Sequence, residues 1–551
     1  MKSLPRVLFV LFVAGLIGFA IYMVYNNQNS EEQEVETRTS EVKPQIINEL
    51  RLGIAEFDTM NPILSNNRNV QDIAKIIYEP LINLSEDYKV EACLATEWSK
   101  VENNGYLIKL REGVKWHDGA NFTAKDVKFT IDQIKSEGVN SIYKSNVRNV
   151  TKLDIVDNYT IRLTLDADIP FFEYYLTFPI LSENYFLGQD FLTTSKNRNP
   201  VGTGKYKMYA EEDGSLTLNR YKDYWGKKGN DETYGIKTIH VYMYSSMGEI
   251  YNSFKIGNID FITTNNLYVE NYIGTIGYNR KDYKGKEYDF IALNTTSSVL
   301  SHPEVRKAIS FAIDKSSIIA NVYNSKFYGA EFPLDYNNWL YKQNNTSAGY
   351  NPAQADTILS ENGWELRNSV WRKSENYNTI RTNLILVVNS ANAERVKVAE
   401  IIKQQLANVG INITIRQATD SQYQNYLANK NYDMIMLGTR SPLSPNVNTY
   451  LGAGNYSNYY NAELTSILNE INNITDDNLL SEKYKRIYEI YHADMPFISL
   501  YFNRSTVCYS TNLMGEITPN CFNVFYNVEN WYRQYWLRNE RWEVGQGDIP
   551  C

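Results

Sequence analysis

A chain of 551 residues, 43% hydrophobic and 21% charged, has the composition of a folded protein and is too long for one core, so two or three domains are expected. Its formal net charge of −8 excludes nucleic acid as a partner, because neutralising phosphates takes a basic face. The 44 tyrosines accompany abundant Asn, Ile and Lys; they read first as a compositional bias and second as a wet binding surface.

The first element is the uncharged run Val7 to Tyr25, VLFVLFVAGLIGFAIYMVY. At about 1.5 Å of rise per residue it reaches about 28 Å, close to a hydrocarbon core. Lys2 and Arg6 precede it, and Glu31, Glu32, Glu34 and Glu36 follow. This polarity keeps residues 1–6 in the cytoplasm and puts the bulk of the chain outside. The run reads first as an uncleaved signal anchor, because it is longer than a signal-peptide core and lacks a small-residue cleavage site, and second as a cleaved signal peptide. The cell membrane, crossed once, is therefore the expected location. Residues 26–46, polar and acidic, read as a flexible tether.

The folded body begins near residue 47. Glu49 to Ala55 (ELRLGIA) alternates as a strand, and Asn69 to Tyr78 carries helical spacing at Val70, Ile73, Ala74 and Ile77. Tyr106 to Leu110 predicts a strand that leads through LREGVKWHDGANFTAKD to a helix over Ala124 to Ile134, with Thr123 and Asp126 as a capping pair. Tyr159 to Leu165, Gly204 to Met208 and Ser215 to Asn219 alternate as strands. Asn199 to Lys205 (NPVGTGK) is a Gly-rich turn whose spacing does not fit a phosphate loop.

Tyr288 to Asn294 is an apolar strand, followed by a helix over His302 to Ile319 with Pro303 placed early. Asn383 to Asn389, Ile411 to Arg416 and Asp433 to Leu437 predict strands. Between the first two lies a helix over Ala391 to Val409, capped by Asn389 or Ser390 and stopped at Gly410. Strands alternating with helices imply an α/β unit with parallel pairing. A last helix, Leu480 to Ala493, precedes the strand Ile498 to Asn503. Cys508 and Cys521 flank a Gly515 and Pro519 turn. They fit either one disulfide or buried thiols, and the four cysteines allow three pairings.

Residues 110–126 resemble the hallmark of the extracytoplasmic solute-binding proteins of family 5, the peptide and nickel receptors of bacterial ABC importers. Further segments resemble the family in the same order: NPVGTGKYK, HPEVRKAISFAIDK at 302–315, NPAQADTILSENGW at 351–364, ERVKVAEIIKQQLANVGI at 394–411, YDMIML at 432–437 and YKRIYEIYHADMPFISLY at 484–501. The resemblance covers about residues 47–535. It implies an α/β fold of the two-lobed periplasmic-binding type, class II-like with an extra subdomain in lobe I, here behind an N-terminal transmembrane helix. Residues 47–284 would form lobe I, with the subdomain about 85–218. Residues 285–497 would form lobe II, and 498–551 would return to lobe I and end in a tail. The lipid-anchor Cys usual after the apolar run is missing, since the first Cys is Cys93.

Catalysis finds little support. There is no G-x-S-x-G elbow and no H-E-x-x-H helix. His117 beside Asp118 lacks a nucleophile and reads as a loop histidine bonding the turn backbone; His302 reads as a helix-start residue. The few His and Cys residues suggest no metal site, and no cofactor is expected. Family resemblance therefore implies a receptor that closes on a ligand in an interlobe cleft and passes it to ABC permease subunits. An oligopeptide or peptide-like solute is the expected ligand. A membrane-tethered sensor or scaffold on the same fold is the alternative, and an extracellular hydrolase a distant third.

In the family's oligopeptide receptors an Asp after a lobe II strand pairs with the ligand's amino group. Here Gly438, Thr439, Arg440 and Ser441 occupy that segment, and no acid occurs before Glu463. Arg440 would repel an amine and attract a carboxylate or phosphate. On the opposite wall Glu56, Asn66, Asn67 and Arg68 are candidate ligand contacts, with Tyr501 and Asn503 on the returning strand as weaker ones.

Overall fold

The computed structural model describes residues 13–25, 44–212, 214–226, 235–341 and 349–535. The chain divides into two units. In the first, residues 1–46 and 534–551, a helix covers residues 13–25 with exposed side chains. Among the described residues no helix is long and apolar enough to cross a membrane. The expected tail 1–6, positions 7–12 of the expected span, the acidic stretch 26–43 and Cys551 lie outside the described residues. Gln45–Ile47 forms a strand, so the tether expected to reach residue 46 gives way to regular structure earlier.

In the second unit, residues 47–533, the periodicities of the sequence resolve into two large hydrophobic cores. The first starts from β1 (Glu49–Ala55), which buries Leu50, Leu52 and Ile54. Helix α1 (Arg68–Ile77) turns Val70, Ile73, Ala74 and Ile77 to the same core. Strands β2 (Ala95–Val101) and β3 (Gly105–Leu110), helix α2 (Ala124–Lys135), and strands β4 (Val150–Asp157) and β5 (Thr160–Leu165) follow. The four strands form an antiparallel sheet in the order β2-β3-β5-β4.

The loop into α2 is held by the capping pair the sequence predicts. The Asp126 carboxylate accepts from the Thr123 N–H at 2.8 Å, from the Glu183 N–H at 2.8 Å and from the Trp116 indole at 3.3 Å. His117 is buried, and its Nδ1 accepts from the Gly202 N–H at 3.2 Å while its Nε2 lies 2.9 Å from the Gly204 carbonyl. Those contacts fix the neutral tautomer with hydrogen on Nε2. The histidine thus bonds turn backbone, as the sequence suggests. The Gly-rich turn is pressed against the end of α1: the Gly204 N–H donates to the Ile77 carbonyl at 2.8 Å. A Cβ at Gly202 would lie 1.9 Å from that oxygen.

The chain continues through β6 (Tyr206–Glu212), β7 (Ser215–Arg220), β8 (Thr238–Tyr244) and β9 (Phe261–Thr264) to the long β10 (Tyr278–Leu293). The second core holds α3 (Pro303–Ala312), α4 (Lys315–Tyr323), β11 (Asn383–Asn389), α5 (Ala393–Asn408), β12 (Asn412–Ala418), β13 (Met434–Arg440) and α6 (Asp477–Asp494). Strand β14 (Phe497–Ser510) then returns to the first core. One sheet runs through both cores in the order β12-β11-β13-β10-β14-β9-β1-β8-β7-β6. Strand β11 pairs parallel with β12 and β13, the arrangement expected of strands joined through helices.

Three expectations are corrected. The helix expected over His302 to Ile319 is two, because Asp314 caps α4 by accepting from the Ser317 N–H at 3.0 Å. The cap of α5 is Asn392, which accepts from the Arg395 N–H, rather than Asn389 or Ser390. The disulfide alternative for Cys508 and Cys521 is not realised. Both are free thiols, Cys508 inside a small third core and Cys521 3.6 Å from the Tyr88 hydroxyl.

Burial pulls the His117 imidazolium down to about 4, against the opposing bond to the Gly204 carbonyl. A depressed histidine leaves the unfolded chain binding the extra proton, so this contribution is complete above about pH 6.5 and is lost as pH falls toward about 4. Across that window wild type should lose stability relative to His117→Gln at up to about 1.4 kcal/mol per pH unit. Chemical unfolding of both proteins at several pH values measures it, and parallel pH profiles would refute it.

Candidate functional site

Two strands carry the chain between the cores. On β10, Tyr283 belongs to the first core and Tyr288 to the second; on β14, Phe502 belongs to the second and Val507 to the first. Their antiparallel ladder slips between the pairs Lys284–Arg504 and Tyr288–Phe502. Gly285 makes the slip possible. A Cβ there would lie 2.1 Å from the Asn503 Oδ1, which instead accepts from the Glu287 N–H at 2.9 Å. The amide side chain thus replaces a ladder hydrogen bond that the slipped backbone cannot make.

Charged groups from both halves converge at this junction. Arg68, Asp72 and Lys75 fall at helical spacing along one face of α1, opposite the residues it buries. Arg68 donates to the Tyr283 hydroxyl at 3.2 Å and sits 3.7 Å from the Asp72 carboxylate. Lys286 follows on β10, and Cys521 lies close enough for its thiol to interact with both lysines. Lys284 is paired, 2.7 Å from Asp335, whose other oxygen accepts from the Tyr88 hydroxyl at 3.0 Å. Among the described residues, Lys75 and Lys286 have no hydrogen-bonding or ion-pair partner for their ammonium groups.

Their titration reflects that isolation. Lys75 is solvent-accessible, yet the protein crowded around it pulls its ammonium down to about 8, and the like charge of Lys286 adds to the depression. Burial, with Arg440 and Arg68 nearby, also lowers Lys286, while Asp72 and Cys521 act the other way. Burial raises Asp72 despite Arg68, Lys75 and Lys286 around it.

The structure sorts the residues expected from sequence. Arg68 and Arg440, from opposite halves of the chain, come near enough for both charges to act on Lys286. Arg440 is exposed and lies 3.8 Å from Glu287, a weak surface pair. Glu56 and Asn66 are exposed. Asn67 caps α1 by accepting from the Asn69 N–H at 2.9 Å. The Thr439 hydroxyl meets the Tyr450 hydroxyl at 2.9 Å, and the Ser441 hydroxyl donates to the Pro333 carbonyl at 3.3 Å.

Tyr501, Gly438 and Asn503 are each engaged within the protein. Tyr501 is buried, and its hydroxyl meets Asp289 at 3.2 Å and Tyr323 at 2.9 Å. Asp289 holds Arg395 through two bonds of 2.8 Å. That guanidinium occupies the space beside Gly438, where a Cβ would lie 1.5 Å from Nη2. Gly438 and Tyr501 thus serve an internal ion pair, and Asn503 serves the slipped ladder. Sequence reasoning missed Asp72, Lys75 and Lys286. The spacing 68, 72, 75 was visible, but a charged stripe opposite an apolar one normally faces bulk water.

Among the described residues no three His, Cys, Asp or Glu side chains gather as a metal site.

Residues 89–461 match the family model described as bacterial extracellular solute-binding proteins, family 5 Middle. The oligopeptide-binding protein AppA of Bacillus subtilis is 24% identical over 97% of this chain and 99% of its own. The glutathione-binding protein GsiB of Salmonella paratyphi A is 25% identical over 84% of this chain and 90% of its own. The solved structure of HbpA2 from Haemophilus parasuis has the same mixed α/β fold, with a TM-score of 0.73 at 20% identity over 88% of this chain and 99% of that one.

Gly285→Ala should destabilise the protein by about 1–3 kcal/mol, the usual cost of forcing an added carbon into occupied space. Adding Asn503→Ala should recover part of that loss, because it removes the group the new methyl strikes. Denaturant unfolding of the two single variants and the double variant reads the coupling. Strictly additive losses would show that the two residues do not share the site.

Proposed function

The chain belongs to the bacterial extracellular solute-binding proteins of family 5, and from that premise we propose that it captures an oligopeptide or peptide-like solute and delivers it to an ABC permease. It is a receptor and not an enzyme, as the binding proteins that resemble it are. One observation supports the mechanics of this reading: two hydrophobic cores are joined by β10 and β14, with the ladder slipped at Gly285. In this reading the cores are the centres of two lobes, and the slip is the hinge on which they close. Residues 47–284 and the returning β14 form one lobe, and residues 285–497 the other.

The ligand lies between the lobes, where α1 and the end of β13 approach Lys286. Its main chain is met by strand backbone and its side chains by water-filled space. Glu56, Asn66, Arg68 and Arg440 remain available to it, since their side chains are exposed. The names of two relatives, an oligopeptide-binding and a glutathione-binding protein, support a peptide-like solute. The N-terminal apolar run, Val7 to Tyr25, tethers the receptor to the outer face of the cell membrane, with Lys2 and Arg6 inside.

Native mass spectrometry of the purified chain should show a bound species whose mass resolves into amino-acid residues. Small-angle scattering should show the stripped protein contracting when that species is returned. A chain that carries nothing, and neither contracts nor gains thermal stability with a mixed oligopeptide library, would defeat the receptor reading. Protease added to intact cells should degrade the body of the protein; a protected body would remove the proposed orientation.

A further inference from the structure

We infer that Lys75 and Lys286 form a prepared seat for an acidic group of the ligand, a carboxylate or a phosphate, and that this receptor therefore selects anionic solutes. The inference rests on the receptor reading above and deepens it. The observation behind it is an imbalance of charge in one place. Arg68, Lys75, Lys286 and Arg440 come from α1, β10 and β13, and among the described residues the carboxylates near them are Asp72 and Glu287. Each lies near an arginine, Asp72 3.7 Å from Arg68 and Glu287 3.8 Å from Arg440, and Asp72 also attracts both lysines, so four cations share two acids. In a chain of net charge −8, acids to complete the set would be easy to supply.

Other lysines show what a structural lysine looks like here. Lys284 reaches Asp335 at 2.7 Å, Lys89 reaches Asp477 at 2.6 Å, and Lys326 reaches Glu270. Each joins an acid from another part of the chain. Among the described residues Lys75, which is exposed, and Lys286, which is half-buried, join none. Like charges gathered around too few acids repel one another, and an arriving anion relieves that cost. Arg68 and Arg440 both act on Lys286, so an acid seated there would be drawn to both halves of the chain.

Titration gives the seat a signature. Lys286, Asp72 and the Cys521 thiol act on Lys75, while Arg68 and Arg440 act through Lys286. With Lys75 near 8, a seated anion favours its charged form, so binding at about pH 8 should take up protons. Affinity should fall as pH rises from about 7 to 9.

The test uses the full chain in detergent, stripped of ligand, with three probes: the peptide Ala-Glu-Ala-Glu-Ala, its Lys-for-Glu counterpart, and inorganic phosphate. Calorimetry should show wild type preferring the acidic peptide by about tenfold or more. Lys75→Met and Lys286→Met should each erase most of that preference and the proton uptake, while keeping or raising the melting temperature. Lys89→Met, which breaks a paired lysine, should keep the preference. Equal affinity for the two peptides, or lysine variants that melt lower yet keep the preference, would overturn the seat while leaving the receptor standing. Phosphate binding that depends on both lysines, without binding of either peptide, would keep the seat and overturn the peptide reading. No response to any probe would overturn both.

Discussion

A ladder of backbone hydrogen bonds between β10 and β14 holds the second unit together. Each strand is long enough to lie in both hydrophobic cores, 16 residues for β10 and 14 for β14. A buried peptide group left without a partner costs about as much as a lost hydrogen bond, so the ladder cannot simply stop where one core ends. It slips instead, at Gly285, and the Asn503 amide takes up the bond that the slip would leave open. The ladder changes register here and again between Asp289 and Phe290 on the same pair of strands. Much of what else stands at the junction is fixed relative to that slip.

Polar chemistry elsewhere in the body is largely consumed by structure. His117 is committed to the backbone of the Gly-rich turn, and Asp126 to the start of α2 and the Glu183 amide. Glu79 is buried and accepts from Thr203, Tyr224 and Trp225. Asp289 and Arg395 neutralise each other beneath β13. A satisfied buried network rigidifies the fold around it. Such rigidity suits a receptor whose work is to hold two walls in register.

The junction departs from that pattern. Among the described residues Lys75 and Lys286 carry charge without an ion-pair partner, whereas Lys284 and Lys326 are paired. Natural proteins tolerate an unsatisfied charge where function repays it. The same place brings together Arg68 and Arg440, which the chain separates by most of its length. Arg440 lies 3.8 Å from Glu287 and acts on Lys286.

Local pattern alone determined most of the elements. Leu50, Leu52 and Ile54 alternate, Val70, Ile73, Ala74 and Ile77 recur at helical spacing, and Thr123 with Asp126 makes a capping box; each of these signals is contained within a few neighbouring residues and survived folding. Several segments in family order likewise fixed the fold before any coordinate. The long reach of β10 was hidden because Tyr278 to Lys286 is charged and polar, a pattern that looks like a loop until a partner strand supplies its hydrogen bonds. Tyr501 and Asn503 looked available because sequence does not reveal Asp289 or the Glu287 N–H waiting for them. Lys75 and Lys286 looked solvated because their spacing along the chain is more than two hundred residues. Periodicity is a property of neighbours in sequence, whereas the loss of water around a charge depends on what the rest of the chain packs against it, and that only the tertiary structure decided.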